Sequence, residues 1–257
     1  MSNSVHSGSG ERIQSVGIAL DIIETVQARG KMGVTELANE LEHSKSTIYN
    51  HLCTLEDREL LVHDDDGYRL SLRVLDMANH VREQVGNYEV IRSEIDTLAD
   101  ETGEIAQFGL EEHGKVSYLY KQRGERGVET ASRVGTQQPM YATGLGKAIM
   151  AYLPEERTEE IIRQTEFEVL TSQTNANPED LREDLEATRE RGYAIDDEEN
   201  FSGLRCIAAP VTDNETVLGA VSITGPSSRF TMDRLENELA DEVQRAANVI
   251  ELNTKFA

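Results

Sequence analysis

The sequence predicts an α+β protein with two domains, an N-terminal winged helix-turn-helix and a C-terminal domain whose helices flank an antiparallel sheet. Residues 34–70 read as a short helix, a tight turn, a second helix and a hairpin, which is the order of elements in a winged helix-turn-helix. From Tyr88 onward, helical patterns alternate with short apolar strands. At 257 residues the chain is long enough for two domains, each with its own core.

The first two helices are predicted from apolar spacing and end signals. Apolar residues recur at near-helical spacing between residues 13 and 28, and Gly30 follows them. The apolar residues at this spacing are Ile13, Val16, Leu20, Ile23 and Val26. Thr35 can cap a short second helix at residues 36–42. Its expected inward-facing side chains are Leu37, Ala38 and Leu41.

A third helix and a hairpin complete the predicted N-terminal domain. After a turn at residues 43–45, Ser44 or Ser46 can cap a helix that runs to about Arg58. Its buried stripe is expected to be Ile48, Leu52 and Leu55. Strands are predicted at residues 60–63 and 68–72, and the turn signal between them is Asp-Asp-Asp-Gly at 64–67.

The polar side of the third helix is suited to DNA. Hydroxyls and a helix N-terminus can bind phosphates, and an Asn side chain can pair with adenine through two hydrogen bonds. We therefore expect DNA contacts from Lys45, Ser46, Thr47, Tyr49, Asn50 and, in the wing, Arg69. A winged-helix domain used for protein contact is the alternative. The three aspartates at 64–66 favour it slightly, because they would oppose a close phosphate.

The charge of the chain constrains how it could bind DNA. The formal net charge is −23, from 48 acidic and 25 basic residues. The acidic residues are spread along the chain, which predicts a solvated carboxylate coat of the kind that halophilic proteins carry. In molar salt the Debye length falls to about 3 Å, so repulsion from DNA is largely screened. Residues 12–80 contain seven basic and twelve acidic side chains, a net of −5, so counterion release cannot be the main source of affinity.

The rest of the chain is divided into a linker and a second domain. The predicted segments are a disordered tail at 1–11, the winged helix-turn-helix at 12–72, a linker helix at 73–87 and the C-terminal domain at 88–257. Within this last domain, helices are predicted at 90–102, 146–152, 155–164, 178–191 and 231–252. Strands are predicted at 105–110, 116–122, 206–212 and 217–224, with a turn at 213–215.

Several classes of protein are disfavoured by the sequence. No apolar run approaches the roughly 20 residues that span a bilayer, and the N-terminus lacks the apolar region of a secretion signal. The two cysteines, Cys53 and Cys206, are far apart, which indicates reduced thiols without a disulfide or metal-ligand spacing. Gly-Leu-Gly-Lys at 144–147 is not a phosphate-binding loop, because Tyr141 and Ala148 break the required pattern. We expect a cytoplasmic protein with no membrane, metal or cofactor partner.

Four motifs resemble a known family. The segment SKSTIYNHLCTLEDRELLVHDDDGYRLSLRVLDMA is similar to the DNA-binding module of IclR-type transcriptional regulators. The segments YATGLGKAIMAYLP, GYAIDDEENFSGLRCIAAPV and LGAVSITGPSSRF are similar to the effector-binding domain of that family, which has a GAF-like fold. The resemblance runs from about Ile13 to Leu252, and the acidic composition makes this a haloarchaeal-looking member. Asn50 departs from the family, since many members carry Arg there, so their base preference does not carry over.

The resemblance implies an effector pocket in the C-terminal domain. Its expected residues are Gly144, Leu145, Asp196, Cys206, Ser222 and Thr224. The glycines would open a helix whose first N–H groups point into the pocket. The two hydroxyls lie on one side of a strand and would bind either a ligand or neighbouring backbone. Alternatively, Cys206 is a small core residue. The acidic run 196–199 by itself reads as a solvated loop, whereas the resemblance singles out Asp196 as a hydroxyl acceptor.

The function expected from these features is transcription regulation. We expect a homodimer or tetramer that binds a double-stranded DNA operator under the control of a small-molecule effector, either an organic acid or a sugar-derived catabolite. Its targets would be a catabolic operon in a halophile. One alternative is a dimeric DNA-binding regulator that needs no ligand. A hydrolase that uses Cys206 is a further alternative, although no motif places a histidine near this thiol.

Overall fold

The computed structural model describes residues 13–214 and 216–255 and confirms the predicted α+β class. It divides into two compact units between Gln84 and Val85, a boundary that falls inside the segment predicted as a linker. The predicted tail at 1–11 and one residue of the predicted turn, Glu215, lie outside the described residues. In the described part of the chain, no helix is both long and apolar enough to cross a membrane.

The first unit is a winged helix-turn-helix, as predicted. Its elements are α1 Gln14–Arg29, α2 Val34–Glu40, α3 Lys45–Asp57, β1 Leu61–Asp64, β2 Gly67–Leu70 and α4 Arg73–Gln84. The hairpin β1–β2 gains a third chain segment, because Met32 forms an isolated antiparallel bridge with Tyr68. Gly67 has a φ of +124°, and a β-carbon there would lie 2.6 Å from the Met32 carbonyl oxygen. Only glycine fits this close approach without strain.

Only part of the apolar spacing seen in the sequence of α1 faces the core of this unit. The buried residues are Ile18, Ile22 and Val26, which follow one another at intervals of four. Of the apolar residues at the predicted spacing, Val26 is buried and Ile23 is partly buried, whereas Ile13, Val16 and Leu20 are exposed. Both faces of this helix are apolar, so spacing alone could not decide which face packs on the core. The result is a helix that leaves an apolar face on the surface of its unit.

The start of α2 also differs from the prediction. The helix begins at Val34, and Gly33 rather than Thr35 occupies the N-cap position. The Glu36 carboxylate accepts a hydrogen bond of 2.8 Å from the Gly33 N–H, which satisfies a donor at the helix start. By contrast, α3 is capped as expected, since the Thr47 N–H donates to Ser44 Oγ at 3.1 Å. Its predicted stripe of Ile48, Leu52 and Leu55 is buried.

The second unit is a six-stranded antiparallel sheet with helices on both faces. Its helices are α5 Tyr88–Thr102, α6 Gly144–Tyr152, α7 Glu155–Gln164, α8 Pro178–Arg191, α9 Met232–Arg234 and α10 Ala240–Lys255, with a π-helical turn at Leu235–Leu239. Its strands are β3 Ile105–Glu112, β4 Lys115–Arg123, β5 Gln137–Pro139, β6 Ala194–Asp197, β7 Leu204–Asp213 and β8 Thr216–Pro226. The strand order is β5-β4-β3-β8-β7-β6.

Alternation along the strands separates two cores. On one face, side chains such as Phe108 and Val221 pack with Leu98 of α5 and Val243 of α10. On the other face, small residues of β7 and β8 pack against α6 and α8. Because the second face carries alanines where the first carries large side chains, it leaves room for the N-terminus of α6 to approach the sheet closely.

Two strands, β5 and β6, are absent from the sequence-based prediction. Strand β6 changes the interpretation of the acidic run. Composition alone reads the run 196–199 as a solvated loop, but Asp196 and Asp197 end strand β6, which pairs with β7, in keeping with the pocket role that the resemblance implies for Asp196. Asp196 and Glu199 are 7% exposed. The other missed strand, Gln137–Pro139, is a short edge strand without apolar alternation. The C-terminal helix, predicted as continuous over 231–252, is interrupted by the π-helical turn.

Candidate DNA-reading helix and effector cavity

Helix α3 presents the predicted DNA-contacting residues on its outer side. Lys45, Ser46, Tyr49 and Asn50 are exposed, and Thr47 is half-buried. The hydroxyls of Ser46 and Thr47 lie 2.9 Å and 2.8 Å from Ser44 Oγ, so the capping residue also orients these two groups. The N–H groups of the first helical turn have no intrahelical partner, which makes this end attractive to a phosphate.

The wing carries its own countercharge, which sequence reasoning missed. Lys31 Nζ lies 2.8 Å from Asp64 and 3.6 Å from Asp66, and Arg69 Nε lies 3.6 Å from Asp64. The hydrogen bond between Lys31 and Asp64 raises the pKa of the ammonium and lowers the pKa of the carboxyl. Two of the three wing aspartates are therefore paired, which weakens their opposition to DNA. Lys31 reaches them because Met32 bridges to Tyr68, a pairing that left no periodic signal in the sequence.

All six residues predicted for the effector site line one cavity of the second unit. Its free volume is about 30 Å³, and it lies between the start of α6 and the sheet. The cavity also contacts residues that sequence reasoning missed. These include Gln107, Tyr118, Thr130, Ser132, Asn200 and Phe201. Polar Gln107 stands between Ala106 and Phe108 in the apolar first part of β3, a signal that could have identified it.

Strand register brings the polar residues together. Asp196, Cys206 and Thr224 are direct neighbours across β6, β7 and β8. One row away, Ser222 is paired with Gln107 across β8 and β3. The Thr224 hydroxyl donates to Gln107 Oε1 at 3.3 Å. A polar stripe therefore crosses four strands on the face that α6 covers.

Ser222 is the most informative residue of this stripe. It is fully buried, and its hydroxyl makes no hydrogen bond to oxygen or nitrogen among the described residues. The Cys206 thiol is its nearby polar group, and sulfur is only a weak hydrogen-bond partner. A buried polar atom without a good partner costs up to about 1–3 kcal/mol, so proteins rarely keep one without a reason. A ligand in the cavity could supply a stronger partner.

The start of α6 fits closely against strand β7. The Thr143 hydroxyl accepts from the Gly146 N–H at 3.1 Å, and the helix begins at Gly144, two residues before the predicted start. A β-carbon on Gly144 would lie 2.9 Å from Cys206 Sγ, and one on Gly146 would lie 2.3 Å from the Met140 carbonyl oxygen. Both glycines are therefore needed for the helix N-terminus to reach the cavity, where it favours negative charge.

Asp196 and Cys206, which both line the cavity, have raised pKa values. Burial raises the pKa of Asp196 to about 7, although Lys147 opposes this shift. Burial, followed by the charge of Asp196, raises the pKa of the Cys206 thiol to about 12. A thiol in this state is a poor nucleophile, so the cavity is suited to binding and does not support a Cys206-dependent hydrolase.

Lys147 follows the glycines that superficially resemble a phosphate-binding loop. Its side chain forms buried ion pairs that stabilise the domain. It is 1% exposed, and its ammonium lies 2.7 Å from Asp184 Oδ2 and 2.5 Å from Glu199 Oε1. The Glu199 N–H in turn donates to Asp196 Oδ1 at 2.8 Å. The buried ammonium thus connects α6 to the turn that holds the Asp196 carboxyl.

Two family profiles match this chain. The IclR helix-turn-helix domain matches residues 15–65, and the bacterial transcriptional regulator IclR C-terminal domain matches residues 82–252. The probable HTH-type transcriptional regulator ArcR of Halobacterium salinarum is 35% identical over 99% of this chain and 98% of its own length. The HTH-type transcriptional regulator KdgR of Dickeya chrysanthemi is 30% identical over 91% of this chain and 79% of its own length.

A solved structure agrees with these matches. The Thermotoga maritima IclR structure is 28% identical, with a TM-score of 0.80 over 94% of this chain and 99% of that chain. This similarity confirms the predicted fold class, including the GAF-like second domain. The haloarchaeal relative agrees with the halophilic composition, and the families describe regulators rather than enzymes. The chain belongs to the IclR family of transcriptional regulators, as its motifs predicted.

Proposed function

We propose that this regulator binds a double-stranded DNA operator through α3 and the wing, and that a small-molecule effector in the cavity controls its affinity. The observation that carries the proposal is the fully buried Ser222 hydroxyl, which faces the cavity without an oxygen or nitrogen partner. A ligand can shift operator binding only if it has different affinities for two states of the protein. The contact between α6 and β7 is a place where such states could differ.

The effector we propose is a small organic acid or a sugar-derived catabolite. The hydroxyls of Ser222 and Thr224 can bind oxygen atoms, and the N-terminus of α6 can bind a hydroxyl or a carboxylate. The Asp196 carboxyl, with a pKa of about 7, can donate or accept a hydrogen bond near neutral pH. We further propose that the regulated genes form a catabolic operon and that the protein works in a salt-rich cytoplasm.

We propose that the protein acts as a homodimer or tetramer. The first unit exposes apolar side chains that its own core does not cover. They are Ile13 just before α1, Val16 and Leu20 on α1, and Leu75, Met77 and Val81 on α4. Burying such residues against a second copy would be favourable. A two-fold dimer would read two symmetric half-sites about one helical turn apart.

The test is a selection of genomic fragments with the full chain in molar potassium chloride, followed by footprinting. The proposal predicts protection of two symmetric half-sites. An absence of sequence-specific protection at every ligand condition would contradict it. A DNA-binding regulator without an effector is the second candidate, and the small cavity volume of about 30 Å³ favours it. A thermal-shift screen of sugars, sugar acids and aromatic acids that gives no hit would support this candidate.

A further inference from the structure

Residues 128–134 form one wall of the effector cavity, and the turn that carries Phe201 and Leu204 forms another. Thr130 and Ser132 of this segment line the cavity, and they also line a broader outer groove of about 730 Å³. A ligand that passes from the groove to the cavity must therefore displace these two residues. The contacts that hold this segment in place therefore determine whether a ligand can enter the cavity from the groove.

Lys121 of β4 holds this segment. Its ammonium donates to Thr130 Oγ1 at 2.7 Å, to the Ser132 carbonyl oxygen at 2.6 Å and to Ser132 Oγ at 3.1 Å. The flanks of the segment are anchored separately, since the Gly135 N–H donates to the Tyr118 carbonyl oxygen at 2.8 Å. Lys121 thus acts at the centre of the segment, where the cavity and the groove are closest.

The partners of Lys121 are unusual for this chain. The ammonium is half-buried, and its three hydrogen-bond acceptors are neutral oxygens. No carboxylate among the described residues lies within 4 Å of it, and the charge of Glu129 acts on it from farther away. Elsewhere in the same domain, the buried ammonium of Lys147 has two carboxylate partners. A carboxylate is a stronger acceptor for an ammonium than a hydroxyl or a carbonyl is. Lys121 therefore lacks a carboxylate in direct contact, and an anionic ligand could supply one.

Lys121 is also connected to the interior of the cavity. Ser132 Oγ accepts from Lys121 and from Gln107 Nε2, the latter at 2.9 Å, and Gln107 Oε1 accepts from Thr224. Lys121 and Gln107 are direct cross-strand partners. The ammonium is thus one hydroxyl away from the polar stripe of the cavity. A carboxylate at the mouth could reach it once Ser132 moves.

We propose that Lys121 is a positioning residue of the effector site: its ammonium holds Thr130 and Ser132 across the mouth, and a carboxylate on the effector replaces these oxygens as its partner. The inference rests on the proposed effector function of the cavity. It adds that the mouth selects anionic effectors and that segment 128–134 opens when one arrives.

Hydrogen exchange of the full chain in molar potassium chloride tests whether Lys121 holds segment 128–134 in place. Without ligand, Lys121→Met should raise the exchange of amides in 128–134 at least fivefold, because three hydrogen bonds are lost. Lys121→Arg, which keeps the charge, should stay near wild type. Lys115→Met, an exposed lysine on the same strand, is the matched control. Exchange in the Lys121→Met variant within twofold of wild type, with α10 still protected, would overturn the proposal.

Potassium propionate tests whether a carboxylate replaces the oxygens of Thr130 and Ser132 as the partner of Lys121. Propionamide is its uncharged counterpart. Propionate should raise the exchange of 128–134 in wild type and in Lys121→Arg, and leave Lys121→Met unchanged. Equal effects of propionate and propionamide on wild type would overturn the assignment of Lys121 to an anion. Since no DNA is present, this failure is distinct from a failure of the proposed function, which the footprint reports.

Discussion

Gly144 and Cys206 are in contact across the edge of the effector cavity. A β-carbon on Gly144 would lie 2.9 Å from the Cys206 sulfur, a distance that real side chains do not tolerate. The start of α6 can therefore lie against strand β7 only because residue 144 has no side chain. This contact links the helix N-terminus, which favours negative charge, to the strand that carries the thiol.

The contact predicts a compensating pair of substitutions. Gly144→Ala should lower the free energy of unfolding by about 1–3 kcal/mol, because the added methyl overpacks the interface. Adding Cys206→Ala should restore much of this loss, since the next nearest atoms, Cys206 Cβ and Ala208 Cβ, would lie at an ordinary 3.5 Å. Chemical denaturation of both single variants and the double variant measures the coupling. Strictly additive effects would show that the two residues do not press on each other.

Lys147 should be important for stability rather than for phosphate binding. Lys147→Met leaves the carboxylates of Asp184 and Glu199 without their buried partner, which should lower the free energy of unfolding by about 3 kcal/mol or more. The exposed control Lys115→Met should change it by less than about 0.5 kcal/mol. Denaturation curves in molar potassium chloride check both values. A loss below about 1 kcal/mol for Lys147→Met would contradict the view that this pair holds α6 to the Asp196 turn.

Asp196 should give the stability a distinct pH dependence. Its pKa in the folded chain is about 7, above the usual value of 3.8, so the folded chain binds more protons than the unfolded chain between these values. Stability conferred by the protonated carboxyl is therefore lost as the pH rises from about 4 to 7. Asp196→Asn removes this dependence and should gain more than about 1 kcal/mol relative to wild type over that window. If the free energy of unfolding changes with pH in the same way for wild type and Asp196→Asn, the raised pKa of Asp196 is contradicted.

Asn50 should contribute to sequence-specific DNA binding. Asn50→Ala should weaken operator binding by about 1–3 kcal/mol and leave binding to unrelated DNA nearly unchanged, because an amide reads a base rather than a phosphate. Gln27→Ala, an exposed amide on α1, is the matched control. Fluorescence anisotropy with operator and scrambled duplexes measures both. If Asn50→Ala weakens binding to both duplexes equally, Asn50 contacts the DNA backbone and does not read a base.

Much of the fold could be predicted because it depends on local signals. The Ser44 cap, the buried stripe of α3 and the glycine-ended hairpin turn are encoded within a few residues of each other. Helices Glu155–Gln164 and Pro178–Arg191 were predicted with their observed bounds, since apolar spacing and end signals agree there. The six cavity residues came from the family resemblance, and the cavity includes all of them.

The rest depends on pairing between distant segments. The inward face of α1 could not be chosen from the helix itself, because the alternative apolar face is equally regular. Asp196 is buried through its register with Cys206, and Lys31 reaches the wing through the bridge between Met32 and Tyr68. Lys121 reaches Ser132 across a loop. None of these contacts produces a period in the sequence.

The central claim is that occupancy of the cavity controls operator affinity. The most direct measurement is the dissociation constant for the footprinted operator, with and without a saturating ligand from the thermal-shift screen, for wild type and for Ser222→Val. Wild type should change affinity at least fivefold, about 1 kcal/mol of coupling, and Ser222→Val should lose this response while still binding operator. An unchanged operator affinity in wild type, with the ligand shown to be bound, would contradict the claim.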